Sequence, residues 1–98
     1  MLNIINKSPL DRSSLDTCLQ SVEGGAILLI EDGVYAATKA GAASAGLAEA
    51  LARLKVYALR PDLEARGVAA ALADGVTAID YTGFVDLVAE HPNNQTWL

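Results

Sequence analysis

Residues 26–30 read AILLI, apolar at every position, with Gly24-Gly25 before them and Glu31-Asp32-Gly33 after. A strand with one wet face alternates apolar and polar residues. An unbroken apolar run of this length belongs to a strand covered on both faces, as at the centre of a parallel sheet. That segment alone calls for helices on two sides of a sheet. LNII (2–5), KVYAL (55–59) and VTAID (76–80) are further strand-sized runs, and NQTWL (94–98) is a final extended piece. The strands alternate with helical patterns, and the connections are short. The expected fold is therefore α/β, a single three-layer domain over residues 1–98. Its mainly parallel sheet of four or five strands lies between helices joined by right-handed crossovers.

The first helix has two possible starts. Ser8-Pro9 offers an N-cap and a proline at the first helical position, and Ser13 with Asp16 offers a second capping signal. Leu15, Cys18, Leu19 and Val22 then fall at i, i+3, i+4 and i+7 on one face, and Gly24-Gly25 ends the helix. EDGVYAA (31–37) reads as an Asp-Gly turn at the carboxyl end of a strand. ASAGLAEALARL (43–54) reads as a helix, DLEARG (62–67) as a short one, and VAAALADG (68–75) as another helical segment. YTGFVDLVAEH (81–91) sets Phe84, Val85, Leu87 and Val88 on one broad stripe, with Pro92 as its stop.

Composition narrows the function. Hydrophobic residues make up 52% of the 98 and charged residues 19%, so the chain either buries much of itself or covers apolar surface with partners. No apolar run reaches the roughly 18 residues of a membrane span. The N-terminal stretch lacks the pattern of a signal peptide, and one cysteine fits a reducing compartment, so a cytoplasmic location is expected. The net charge of −5 and the scattered bases oppose direct nucleic-acid binding.

Candidate chemistry is sparse. One His, one Cys and dispersed carboxylates give no metal-ligand spacing, and no metal or cofactor is expected. Phosphate-binding signatures are missing. AGAASAG (40–46) reads more simply as a tight connection than as a phosphate loop. There is no GxSxG elbow, and His91 in the last turn of a helix complements the helix dipole or faces water.

Two features remain. Loops at the carboxyl ends of parallel strands are where sites lie in open α/β sheets, which puts Glu31, Asp32, Gly33 and Tyr35 at the functional edge. The competing reading is an Asp-Gly turn with Tyr35 packed beneath it. Cys18 is the only thiol. Its place among Leu15, Leu19 and Val22 suits a small core filler, whereas a reactive thiol needs exposure and help from positive charge.

INKSP near the start, LLIEDGVYAA, KVYALRPDLEARG and IDYTGFVDLVAEH with the closing QTWL together resemble the DsrH/TusB family over essentially the whole chain. The resemblance implies a DsrEFH-like fold and a subunit of a sulfur-relay complex that handles cysteine persulfide sulfur. The implied partners are DsrE/TusD-like and DsrF/TusC-like subunits in a heterohexamer, with a sulfur-carrier protein downstream and no direct contact to nucleic acid or membrane. It implies a sulfur carrier or transferase subunit, not a stand-alone enzyme. Ser14, Leu15, Cys18 and Leu19 match the SLxxCL context of DsrH-type chains, which favours cytoplasmic sulfur oxidation. The alternatives are a TusB-type subunit for 2-thiouridine formation at the tRNA wobble position, or a purely structural subunit. In the chemical version Cys18 is an auxiliary persulfide carrier, its thiolate attacking the outer sulfur of a donor persulfide. Glu31, Asp32, Gly33 and Tyr35 are then the candidate binding and interface residues.

Overall fold

The computed structural model describes residues 1–22 and 24–97, with the side chains of all of these but Ser44 and Ala45. Strands β1 (Leu2–Ile5), β2 (Ala26–Leu29), β3 (Lys55–Leu59), β4 (Val76–Ile79) and β5 (Asn94–Trp97) form one sheet in the order β4-β3-β2-β1-β5. Every neighbouring pair is parallel. AILL of β2 is central and buried throughout, as its unbroken apolar run requires. The closing extended piece is the fifth strand, pairing Leu2 with Asn94 through Ile5 with Trp97; Leu98 of that expectation lies outside the described residues.

Connections from β1 to β4 step one way across the sheet, and the link from β4 to β5 reverses. With one crossover hand, the first three must cover one face and the last must cover the other. The core divides accordingly. Ile5, Ile27, Leu29, Val56 and Ala58 face Leu15, Cys18, Val34, Leu47 and Leu63. Leu2, Ile4, Ala26 and Leu28 pack on the opposite side against Leu87 and Phe84. The alternation along each strand is the period of two that pleating imposes.

The helices are α1 (Ser14–Ser21), α2 (Lys39–Ala45), α3 (Leu47–Ala50), α4 (Arg60–Ala65) and α5 (Tyr81–Glu90), with 3-10 helices at Glu31–Ala37 and Ala69–Ala71. Helix α1 takes the later of its two candidate starts. The Ser8 carbonyl accepts from Asp11 and Arg12, closing a single turn before it. Ser13 holds the N-cap position without a side-chain hydrogen bond to the helix, so the expected capping box is not made.

The alanine-rich stretch also departs from expectation. Its helix begins at Lys39, where Thr38 Oγ1 accepts from the Gly41 amide at 3.0 Å, and it breaks at Gly46, which has φ 70°. Alanine favours a helix without setting its ends, whereas a threonine cap and a left-handed glycine do set them. The helical segment expected over 68–75 shrinks to the short 3-10 turn. Helix α4 begins at Arg60, ahead of the DLEARG expected for it, with Pro61 in its first turn.

Helix α5 begins as expected, with Asp80 accepting from the Gly83 amide at 2.9 Å. The His91 ring Nδ1 lies 2.9 Å from the Leu87 carbonyl and can cap the far end. Asp80→Ala should cost about 1 kcal/mol, the usual loss for an N-cap. A lower urea midpoint with an unchanged denaturant slope would show it.

Candidate functional site

The carboxyl ends of β1 and β2 carry two segments that meet across an open cleft of about 640 Å³. On one side is the 8–13 loop that leads into α1. On the other is EDGVYAA, which is no simple Asp-Gly turn but the 3-10 helix Glu31–Ala37. Its seating is steric. A Cβ on Gly33 would lie 2.2 Å from the Ile5 carbonyl oxygen, so only glycine lets this segment rest on the end of β1. Val34, Ala36 and Ala37 turn into the core, while Tyr35 is 39% exposed and lines the cleft.

Helix α4 holds the same segment from its other side. Glu31 has φ 50°, a left-handed conformation unusual for a residue with a side chain, and its amide donates to Asp62 Oδ2 at 2.7 Å. Arg66 Nε donates to Asp32 Oδ1 at 2.9 Å, and its Nη1 lies 3.9 Å from Asp62 Oδ1. Arg66 therefore sits between two carboxylates, one from each segment. Sequence reasoning left out Asp62 and Arg66; their i, i+4 spacing on DLEARG was the available signal. Asp32 is thus engaged in a structural ion pair, although it also borders the cleft.

Cys18 is elsewhere. It lies in α1 on the core-facing stripe with Leu15 and Leu19, is 0% exposed, and does not line the cleft. Burial pushes its thiol above the ordinary value, and the Arg53 guanidinium opposes this only in part. That guanidinium is itself occupied, donating to the carbonyls of Leu19 (2.6 Å) and Val22 at the end of α1. A persulfide carrier needs exposure and thiolate character. In the free chain Cys18 has neither, so of its two readings the geometry matches core filling.

No three His, Cys, Asp or Glu side chains among the described residues are placed to share a metal ion. No helix among them is long and apolar enough to cross a membrane.

A family model described as DsrH like protein matches residues 7–94. The chain belongs to the DsrH-like family. Curated relatives carry the name TusB. The protein of that name from Pectobacterium parmentieri is 43% identical over 98 residues, spanning 99% of this chain and all of the relative. The one from Escherichia coli K12 is 38% identical over 99 residues, with the same coverage. Among solved structures, protein Tm0979 from Thermotoga maritima superimposes with a TM-score of 0.66 at 26% identity, covering 95% of this chain and 97% of that one. The protein MTH1491 from Methanobacterium thermoautotrophicum reaches 0.69 at 16% identity, covers 97% of this chain and 96% of that one, and supports the fold alone.

These relatives favour the TusB alternative over the DsrH-type reading that rested on Cys18. In this DsrH-like chain the residues around Cys18 have a plain reason for their pattern, since Leu15, Cys18 and Leu19 are the buried stripe of α1. The motifs that carried the resemblance, EDGVYAA and RPDLEARG, are the two segments that Asp62 and Arg66 bind together.

Asp62→Ala removes the acceptor for the Glu31 amide and should cost roughly 1–2 kcal/mol in urea unfolding. Asp32→Ala breaks only a largely exposed ion pair and should cost about 1 kcal/mol or less. An equal loss at both positions would contradict this assignment. Alkylation of Cys18 by iodoacetamide near neutral pH should be at least about tenfold slower in the folded chain than in urea, because the thiol must be uncovered before it ionises. The folded state holds the neutral thiol, so Cys18 leaves stability unaffected well below the ordinary value of 9.0 and lowers it as pH climbs above that. Cys18→Ala should remove that alkaline loss.

Proposed function

We propose that this chain is a TusB-type subunit of a sulfur-relay complex. In this reading it sits in the cytoplasm with TusD-like and TusC-like subunits in a heterohexamer and serves thiolation of the tRNA wobble uridine. The observation that carries the reading is full-length relatedness to proteins named TusB within the DsrH-like family. We assign the chain a scaffolding part. A partner subunit takes the persulfide and hands it to a downstream sulfur-carrier protein, while this chain holds the partners in register. Two features support that division: a sole thiol buried in the core, and the cleft-side segment of Glu31, Asp32, Gly33 and Tyr35 fixed in shape by α4. Tyr35, exposed at the cleft, is the residue of that segment best placed to meet a partner. The net charge of −5 suits a subunit that leaves RNA contact to others.

Reconstitution with the TusD-like and TusC-like proteins of the same cell tests this. After incubation with a persulfide donor, mass spectrometry of each chain should find the added sulfur on a partner and none on this subunit. Cys18→Ala should leave assembly and sulfur flux unchanged. A sulfur gained here and lost in Cys18→Ala would restore the chemical role of Cys18. Failure of the wild-type chain to join either partner would remove the subunit reading.

A further inference from the structure

Strand β5 sits at the edge of the sheet and pairs with β1 alone. In β1 and β2 every side chain is buried. In β5, Asn94, Gln95 and Thr96 are exposed, and only Trp97 is partly buried. A short main-chain ladder and one indole therefore hold this strand. Asn3 pairs with Gln95 and Ile5 with Trp97, so Asn3 and Trp97 are diagonal neighbours on one face of the sheet. Trp97 Nε1 donates to Asn3 Oδ1 at 3.1 Å.

Asn3 is a costly residue for that place. Among the described residues only Asn3 and Ser8 are buried polar side chains, and Ser8 Oγ is used, accepting from the Leu10 amide. Asn3 is 1% exposed, and its Nδ2 has no hydrogen-bond partner among the described residues. A buried donor left unpaired costs at least as much as one neutral hydrogen bond returns. The indole bond thus adds little net hold on β5, because the docked strand gains one hydrogen bond and leaves one donor dry. Lifting Trp97 away lets water reach the Asn3 amide. An apolar residue at position 3 would pack beside the indole without that penalty.

We infer that β5 is a releasable strand, undocking from β1 as a unit while the other four strands stay folded, and that Asn3 keeps it releasable. The device is conformational. In the closed form β5 covers the edge of β1, and the Leu2 amide donates to the Asn93 carbonyl at 3.0 Å. In the open form that amide is unpaired and β1 becomes the edge of the sheet. The inference stands on the Asn3–Trp97 geometry and is independent of the subunit reading.

The test uses the full chain. Trp97 is the sole tryptophan, so its emission reports β5 while circular dichroism reports the helices. In urea, the emission midpoint of the wild type should fall at least about 0.5 M below the loss of helical signal, a separation that one all-or-none transition does not produce. Asn3→Leu should close the gap by raising the emission midpoint. Hydrogen exchange gives a second reading with a control for fraying, since the Ala26 amide donates to Met1 at the same end of β1 but on its β2 side. In the wild type, protection of the Leu2 amide should be at least about tenfold lower than that of Ala26, and in Asn3→Leu the two should converge. Coincident wild-type transitions with equal protection of Leu2 and Ala26 would overturn the inference. A gap that persists unchanged in Asn3→Leu would overturn the part assigned to Asn3. Should that variant fail to fold, the two wild-type measurements still decide whether β5 opens on its own.

Discussion

A parallel sheet has to cover both of its faces, and this chain meets that requirement unequally. Three of its four crossovers fall on one side, where Leu15, Val34, Leu47 and Leu63 close over β1, β2 and β3. Only α5 covers the other side. The imbalance follows from strand order. Steps from β1 through β4 in one direction fix the first face, and a single return to β5 is all that remains for the second. The buried cysteine, the rigid strand-end segment and the half-covered last helix all trace back to it.

On the crowded face, packing decides chemistry. Helix α1 lies over the sheet with Cys18 on its inward stripe, and sulfur is used there as volume. Arg53 adds a positive charge nearby, yet its donors are already committed to the carbonyls that end α1. Its pull on the thiol is weaker than the effect of burial. The same crowding shapes EDGVYAA. Gly33 has no room for a side chain above the Ile5 carbonyl, and a Cβ on Gly41 would fall 2.1 Å from the Tyr35 carbonyl oxygen. The segment is pinned at two backbone contacts and then tied to α4 by Asp62 and Arg66.

What could be read from residues alone divides along physical lines. The strands were legible because AILL is a continuous apolar run, a pattern that two-sided burial explains, and LNII and KVYAL are short and mostly apolar. Helix α5 was legible from its spacing and the Pro92 stop, but periodicity could not tell which part of a wide apolar arc the sheet would take, and its Asp80 cap went unread. The ends of α2 and α3 were not legible, since Ala-rich sequence is helical anywhere and Thr38 and Gly46 acted through local geometry. At the candidate site, the position of Glu31 to Tyr35 at a strand end came from alternation alone. The 3-10 conformation did not, because it depends on Asp62 and Arg66, some thirty residues further along. The stripe of Leu15, Cys18 and Leu19 already pointed inward; only the resemblance argued for a reactive thiol.

The resemblance itself has a physical content that its motifs make clear. EDGVYAA and RPDLEARG look like signatures of a reaction, being rich in charge and lying at strand ends. Three of their charged groups, Asp32, Asp62 and Arg66, nevertheless turn toward one another. Asp62 satisfies an amide that Glu31 presents from a left-handed conformation, and Arg66 bridges Asp32 and Asp62. A loop that must keep one shape needs such ties, because an unpaired amide or a free hinge would let it sample others. The motifs therefore specify a surface of fixed form at the cleft, with Tyr35 exposed on it. In the scaffolding part proposed above, with the thiol of Cys18 buried in the core, that fixed surface is what the chain would present to a partner.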